Sequence, residues 1–267
     1  MKDLIYNTGN DFTNNSNTIG FSVIGDKFFI NLPTELRNSI WSEWYGNIQG
    51  KLRNLGDKIL NIFIKAEKTE WVDPIPMLSL IISIAEIHKE KNIFYVVPDL
   101  DLNALSKGQK RVLEFLEKEG FFTEMIKYNV CIVPNCYYSN ISKNKAIFEE
   151  TSINTTKWIQ THLNGFVYYN NSTILKAKVI DLSSERYQGK IDDTIERELT
   201  EVKHRISQHL QDSQLNDILW KIGLFLKETI NNVYEHAYGN NPKYVGYYIR
   251  HLVGLSDNSL NDSVRKK

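Results

Sequence analysis

The residues best suited to chemistry lie in one segment, Lys227–Gly239, which reads K-E-T-I-N-N-V-Y-E-H-A-Y-G. Glu228, Asn232 and His236 follow one another at four-residue spacing, so on an α-helix their side chains rise along one shared stripe. Polar groups placed in this way can border a cleft while a neighbouring face of the helix packs on a sheet. The same pattern is also common on solvated helix surfaces, where Glu and Asn are frequent.

The helix that would carry these side chains is predicted from Leu215 to Tyr238, because apolar residues repeat there at the helical period. Gly239 and the nearby Pro242 are typical of a helix end. The apolar stripe consists of Leu219, Ile222, Leu226, Ile230, Val233 and Ala237.

The full segment E-T-I-N-N-V-Y-E-H-A-Y-G resembles the N-box of the gyrase, histidine kinase and MutL (GHKL) ATPase superfamily, especially its anti-sigma-factor kinase branch. The resemblance implies that Asn232 coordinates the Mg²⁺ that bridges the ATP phosphates, as an oxygen ligand for a hard cation. It implies that Glu228 is the general base acting on the attacking water or hydroxyl. His236 and Tyr238 would line the phosphate side of the pocket.

The chain departs from this family after its last predicted strand. Members continue with D-x-G-x-G, whose Asp binds the adenine amino group, and with a glycine-rich lid. Here Gly254–Asp262 reads G-L-S-D-N-S-L-N-D, and Asp257 lacks both glycines. We therefore expect weak ATP binding or none from this chain alone, which would be either a fragment or a shortened regulatory version that kept its helices for partner binding.

The N-terminal half alternates strands and helices, which is typical of a sheet covered by helices, so residues 21–137 are predicted as one α/β domain. Predicted strands are Lys27–Leu32, Ile59–Ile64, Ile93–Val97 and Tyr128–Val133. Predicted helices run from Pro33 to about Leu55, after Ile64, from Met77 to Ile87, and from Ser106 to a cap at Gly120.

The segment Trp71–Lys91, W-V-D-P-I-P-M-L-S-L-I-I-S-I-A-E-I-H-K-E-K, lies between two of these strands and resembles the STAS fold of anti-sigma-factor antagonists. In that family the turn before the helix reads D-S-x-G, and its serine is phosphorylated. Here Pro74 follows Asp73, and Ser79 lies further along the helix. The resemblance implies a STAS-like scaffold without the phosphorylation switch. Any small α/β domain with a buried helix is the alternative.

The predicted fold class is α/β (α+β), a STAS-like helix-covered sheet followed by the N-terminal part of a Bergerat-type α/β sandwich. The second part would contain strand Ala177–Leu182, helix Asp192–Leu210, the helix that bears Glu228, and strand Tyr244–Leu252. The expected divisions are a leader at 1–20, the STAS-like domain at 21–137, a connecting region with short elements at 138–175, the partial ATPase domain at 176–254 and a tail at 255–267.

Composition excludes several functions. Lys plus Arg and Asp plus Glu both number 32, so no net field favours nucleic acid, and the basic run Arg265–Lys267 is read as a solvated tail. No apolar stretch approaches the roughly 20 residues of a membrane helix. Cys131 and Cys136 match no metal or redox motif, which favours idle thiols in the cytoplasm. His204 and His209 lack the acidic residue that follows a phosphoacceptor histidine.

Two hypotheses follow from the sequence. The first is a cytoplasmic regulatory protein that binds ATP and Mg²⁺, and that hydrolyses ATP or transfers its phosphoryl group once the adenine-binding half is supplied. The second is a non-catalytic interaction module of the partner-switching type, motivated by the missing D-x-G-x-G. Both predict a protein partner, with a second copy of the chain among the candidates.

Overall fold

A computed structural model of the chain describes residues 18–87, 91–138, 145–166, 173–181, 187–206, 212–232 and 244–250. The strands are β1 (Gly20–Ile24), β2 (Lys27–Asn31), β3 (Glu35–Leu36), β4 (Asn61–Lys65), β5 (Trp71–Val72), β6 (Asn92–Val97), β7 (Val130–Pro134), β8 (Thr173–Asp181) and β9 (Tyr244–Arg250). The helices are α1 (Asn38–Arg53), α2 (Pro74–Ile87), α3 (Lys107–Lys118), α4 (Phe121–Lys127), α5 (Asn135–Tyr138), α6 (Lys145–His162), α7 (Tyr187–Ile206) and α8 (Asp212–Asn232).

The main sheet has five strands in the order β1-β2-β4-β6-β7, all parallel except β1. Its inner strands are apolar on both faces, as expected for parallel strands covered on both sides. One face carries a stack of Phe29, Phe63 and Phe94, with ring centroids 5.2 and 4.8 Å apart. The opposite face, including Ile62 and Tyr95, joins the main hydrophobic core. The predicted mixed α/β character is confirmed.

One expected helix begins later than predicted and another is absent, and one small ribbon explains both. No helix begins at Pro33 and none follows β4, because β3 and β5 pair there as a parallel ribbon. The carbonyl oxygen of Thr34 accepts hydrogen bonds from the amides of Glu70 and Trp71, at 2.7 and 3.1 Å. These long-range backbone bonds replace the local ones that a helix would make, so α1 begins only at Asn38.

Helix α3 begins and ends at residues with recognisable signals. Ser106 and Gln109 form a capping box, in which each side chain bonds the backbone amide of the other residue. Gly120 has a φ of 83°, a left-handed conformation that glycine adopts without a steric penalty, and it separates α3 from α4. The predicted helix from Ser106 and its cap at Gly120 are therefore confirmed.

Helix α6 is longer than the short elements expected between residues 138 and 175. It covers the outer side of β7, where the Oγ of Ser152 accepts a hydrogen bond from the Ile132 amide at 3.0 Å. Phe148 packs edge-on against Phe94 with centroids 4.9 Å apart. This helix thus satisfies an edge strand that would otherwise be open to pairing.

Strands β8 and β9 form an antiparallel two-stranded ribbon, which we call the β8–β9 ribbon. One face, with Ala177, Val179 and Tyr244, belongs to the main core. The other face, with Val245 and Tyr247, packs on α7 and α8 in a second hydrophobic cluster. The ribbon is therefore a layer between the main sheet's helices and the α7–α8 pair.

Gly246 allows the ribbon to lie close to α2, since a Cβ at this position would come within 3.1 Å of Ile82 Cδ1. Strand β8 is also tied to the end of α3 and to α4 by hydrogen bonds. The Ala177 amide donates to the Glu119 carbonyl at 2.8 Å, and the Val179 amide donates to Glu124 at 2.9 Å. These contacts fix the base on which α7 and α8 rest.

Residues 1–17 of the predicted leader and the whole predicted tail at 255–267 lie outside the described residues. The first described strand begins at Gly20, next to the expected start of order at Phe21.

Candidate functional site

Helix α8 presents two different faces. Leu215, Leu226 and Ile230 are buried, and Leu219 and Ile222 pack partly buried beside them. This is the apolar stripe expected from the helical period, and the predicted helix is confirmed over the described residues to Asn232. The opposite face is exposed.

Two contacts with α7 hold α8 in place. Gly223 lies against Leu199, where a Cβ would come within 3.0 Å of Leu199 Cδ1, so the two helices approach closely. Lys227 Nζ lies 3.3 Å from Asp192 Oδ1 at the exposed margin of the pair. The orientation of the exposed face is therefore set by packing on α7 and on the β8–β9 ribbon.

Glu228 and Asn232 both lie on the exposed face of α8, one helical turn apart. Asn232 is the last residue of the helix as described. Within the described part of the chain, no hydrogen bond or ion pair engages either side chain. A carboxylate and an amide are thus available to a ligand from solvent, while the buried face anchors the helix.

His236 and Tyr238, which the N-box resemblance places on the phosphate side of the pocket, lie outside the described residues. Their proposed roles stay predictions. The described residues also contain no group of three or more His, Cys, Asp or Glu side chains placed to hold a metal ion.

The exposed face of α8 also carries large apolar side chains that the sequence analysis did not single out. Trp220, Leu224 and Phe225 are 65, 46 and 59% exposed. The signal was available, since Trp220 and Leu224 precede Glu228 at the same four-residue spacing. Periodicity alone does not distinguish this exposed apolar row from the buried stripe.

A shallow groove of about 310 Å³ runs between α7 and α8. Its floor is apolar, formed by Ile195, Leu199 and Leu219, and polar residues of α7 such as Glu196 and Lys203 form its rim. Glu228 and Asn232 do not line it. The groove and the candidate residues are therefore separate features of the same helix pair.

The turn that resembles the STAS phosphorylation site has a structural role here. Asp73 accepts a hydrogen bond from the Asn38 amide at 2.9 Å, where α1 begins, and another from the Trp71 indole at 3.0 Å. Pro74 is the first residue of α2, a position that suits proline. Asp73 therefore connects the starts of α1 and α2.

The remaining candidate residues are two cysteines and two histidines. No disulfide joins Cys131 and Cys136, and burial together with Asp99 raises the pKa of the Cys136 thiol, which disfavours the reactive thiolate. His204 is exposed on α7, and His209 lies outside the described residues.

Comparison with known protein families, with curated proteins and with solved structures finds no match to this chain. Among the described helices, none combines the length and apolar character needed to cross a membrane.

Proposed function

We propose that this chain is a cytoplasmic regulatory protein of the histidine-kinase-like ATPase superfamily that binds Mg²⁺ and ATP through the exposed face of α8, weakly on its own and more tightly once an adenine-binding segment is supplied. The observation that carries the proposal is the position of Glu228 and Asn232. Both side chains are exposed on one face of a helix whose other face is fixed by α7 and the β8–β9 ribbon. An N-box helix needs such a division between an anchored face and an open one.

The arrangement of elements also supports this proposal. A strand, two antiparallel helices and a strand that pairs with the first are the beginning of a Bergerat-type sandwich, and β8, α7, α8 and β9 follow that order. The N-terminal sheet with α2 buried against it supports a STAS-like scaffold in the same way. Asp73–Pro74 lacks the serine of the phosphorylation switch, so this part of the chain would act as a scaffold.

The residues present fit Mg²⁺ with nucleotide phosphates better than Mg²⁺ alone. Magnesium keeps several waters and takes one or two protein oxygen ligands together with phosphate oxygens. Asn232 would supply one such oxygen, and Glu228 would hold the proton of an attacking hydroxyl or water. Bound Mg²⁺ would supply neutralisation of phosphate charge. Hydrolysis or phosphoryl transfer would further require the adenine-binding segment that D-x-G-x-G provides in the family.

Nucleotide binding is tested by thermal unfolding with and without millimolar Mg²⁺–ATP or Mg²⁺–ADP. If the ligand is present at ten times its dissociation constant, stability rises by about 1.4 kcal/mol, which corresponds to about 3–5 °C in a protein of this size. Asn232→Ala should abolish the shift. Asn216→Ala, at another exposed asparagine of α8, should keep it.

No shift in the wild-type chain with either nucleotide would refute the proposal. If Asn216→Ala and Asn232→Ala lose the nucleotide-dependent thermal shift equally, the loss comes from reduced stability of α8 and not from a lost metal ligand. Repeating the measurement without Mg²⁺ separates metal ligation by Asn232 from an effect on α8 stability. Only a thermal shift that needs the metal supports Asn232 as its ligand.

A second candidate function is a non-catalytic interaction module, and the exposed Trp220, Leu224 and Phe225 favour it. Large apolar side chains clustered on a surface are typical of protein contact sites. This candidate requires no nucleotide. It would be refuted by a chain that responds to Mg²⁺–ATP and whose association state is unaffected by substitutions at these three residues.

A further inference from the structure

The exposed side of α8 contains both the apolar cluster and a charged row, and we call it the α8 outer face. It consists of Asp217, Trp220, Lys221, Leu224, Phe225 and Glu228. Leu224 and Phe225 lie at its centre. Lys221 lies one turn before them and Glu228 one turn after them, close to a single line along the helix, since seven residues make almost two turns.

The charges of this face are arranged for a copy of itself. Reversing α8 about a point midway between Leu224 and Phe225 exchanges positions 221 and 228. Two antiparallel copies of α8 would therefore place each Lys221 opposite a Glu228 of the other copy. A two-fold axis repeats this pair on both sides of the centre, as an isologous interface requires.

Glu228 is available for such a pair, because within the described residues it has no bonded partner. Lys221 is held by Asp217, with Nζ 2.7 Å from Oδ2, and its ammonium group has three donors. Lys227 is paired with Asp192 in the same chain. The face thus carries two carboxylates, Asp217 and Glu228, against one ammonium group, a net charge of −1 per copy, and the pairing of Lys221 with Glu228 across the axis has to offset this repulsion.

We propose that the α8 outer face is a homodimer interface, in which two copies of α8 pack antiparallel about a two-fold axis. Leu224 and Phe225 meet the same residues of the second copy at the centre. Lys221 pairs with Glu228 of the second copy on either side. We choose a second copy as the partner because the order of charges on this face is complementary to itself. No other partner is required to carry the matching charges.

The apolar centre is small, which bounds the affinity. An aromatic side chain buries about 150–250 Å², so the exposed parts of Trp220, Leu224 and Phe225 offer on the order of 300 Å² per copy. Stable interfaces bury about 800 Å² per partner, so much of this one would be polar rim. We expect a dissociation constant on the order of 10 µM.

The test is a charge exchange read by analytical ultracentrifugation over a concentration series without nucleotide. Lys221→Glu and Glu228→Lys each place like charges opposite one another twice, and each should weaken the dimer at least about tenfold. The double variant Lys221→Glu/Glu228→Lys restores opposite charges across the two-fold axis and should recover most of the affinity. Circular dichroism checks that every variant remains folded.

A matched pair of apolar substitutions tests the centre. Phe225→Asp, at a side chain 59% exposed, should give a monomer, whereas Ile153→Asp, at a side chain 63% exposed on α6, should leave the dimer unchanged. Neither substitution removes a buried group, so both variants should fold.

A wild-type chain that stays monomeric at 100 times the expected dissociation constant would overturn the proposal. So would a double charge variant no better than the singles, or a dimer that survives Phe225→Asp. The dimer engages Glu228, which the proposed function assigns to the nucleotide site, so the two proposals compete for this carboxylate and the sedimentation series without nucleotide reports on the dimer alone. Asn232 takes no part in the Lys221–Glu228 pairs, and Asn232→Ala should remain dimeric while losing any Mg²⁺–ATP response. The two proposals can therefore fail separately.

Discussion

At the scale of single residues, Glu198 is a charge that the fold encloses almost completely. Its side chain is only 1% exposed and is held by the ammonium group of Lys178 on β8. Arg197 Nε lies further away, at 3.7 Å. A buried carboxylate with one close counter-charge depends heavily on it, because desolvation of an uncompensated charge is costly.

Lys178→Met should therefore destabilise the protein by about 3–5 kcal/mol. Glu198→Gln should cost less, since the Lys178 side chain is 23% exposed and its ammonium group can reach water, which Glu198 cannot do. Urea unfolding at neutral pH measures both, with Glu196→Gln on the exposed side of α7 as the control. The reverse order of the two effects would show that Glu198 does not rely on Lys178.

Tyr128 makes the stability of the folded chain sensitive to alkaline pH. Burial, reinforced by the negative charge of Glu124, raises the pKa of its phenol above the ordinary value of about 10. A raised folded-state pKa contributes stability that is complete below pH about 10 and is lost as the pH rises towards the folded pKa. The unfolded chain gives up this proton first, which favours unfolding.

Tyr128→Phe removes the hydroxyl that donates to the Val179 carbonyl at 3.1 Å, and it should cost about 1 kcal/mol at pH 7. Above pH 10 the stability of the variant should fall less steeply than that of the wild type, by up to about 1.4 kcal/mol per pH unit. Denaturant unfolding between pH 8 and 11 measures this slope. Tyr137→Phe, at a side chain 53% exposed, should leave the slope unchanged.

At the scale of elements, the distance between the β8–β9 ribbon and α2 depends on Gly246. A methyl group there would lie 3.1 Å from Ile82 Cδ1 and 3.5 Å from Leu78 Cδ2. Gly246→Ala should therefore cost about 1–3 kcal/mol through overpacking. Ile82→Val removes the Cδ1 atom, so the double variant should cost less than the sum of the two single changes.

Gly50→Ala is the control for this prediction, because its added Cβ meets no atom within 4 Å. In the interior of α1 it should stabilise the protein by about 0.5–1 kcal/mol. Thermal unfolding of these four variants and the wild type is sufficient. Strict additivity of Gly246→Ala and Ile82→Val would indicate that the ribbon moves away from α2 without strain.

Elements with a long repeating signal could be predicted from the sequence, and short paired ones could not. Helix α8 was foreseen because Leu219, Ile222, Leu226 and Ile230 repeat at the helical period over several turns. The β3–β5 ribbon has only two residues in each strand, which is too short to show the alternation of apolar and polar residues that marks a strand. Its hydrogen bonds also join residues more than thirty positions apart in the sequence. Glu228 and Asn232 were placed correctly on α8 for the same reason, whereas the exposed Phe225 needed knowledge of which face is buried.

At the scale of the whole molecule, the β8–β9 ribbon joins two hydrophobic clusters. Its Val179 belongs to the main core and its Tyr247 to the cluster of α7 and α8. Tyr248 also donates a hydrogen bond to Glu119 at 3.1 Å. Loss of the α7–α8 cluster would leave one face of the ribbon without its cover, so we expect both clusters to unfold in one transition.

Val202→Ala tests this coupling, because Val202 is fully buried in the α7–α8 cluster and far from the main sheet in sequence. The substitution should cost about 2 kcal/mol. Under native-state hydrogen exchange, the slowest amides of β4 and β6 should lose as much protection as those of α7, since all of them would open through the same global unfolding. Val23→Ala, on the exposed edge strand β1, should change protection by less than about 0.5 kcal/mol. Loss of protection in α7 and α8 alone would mean that this helix pair opens independently and that the ribbon does not couple the clusters.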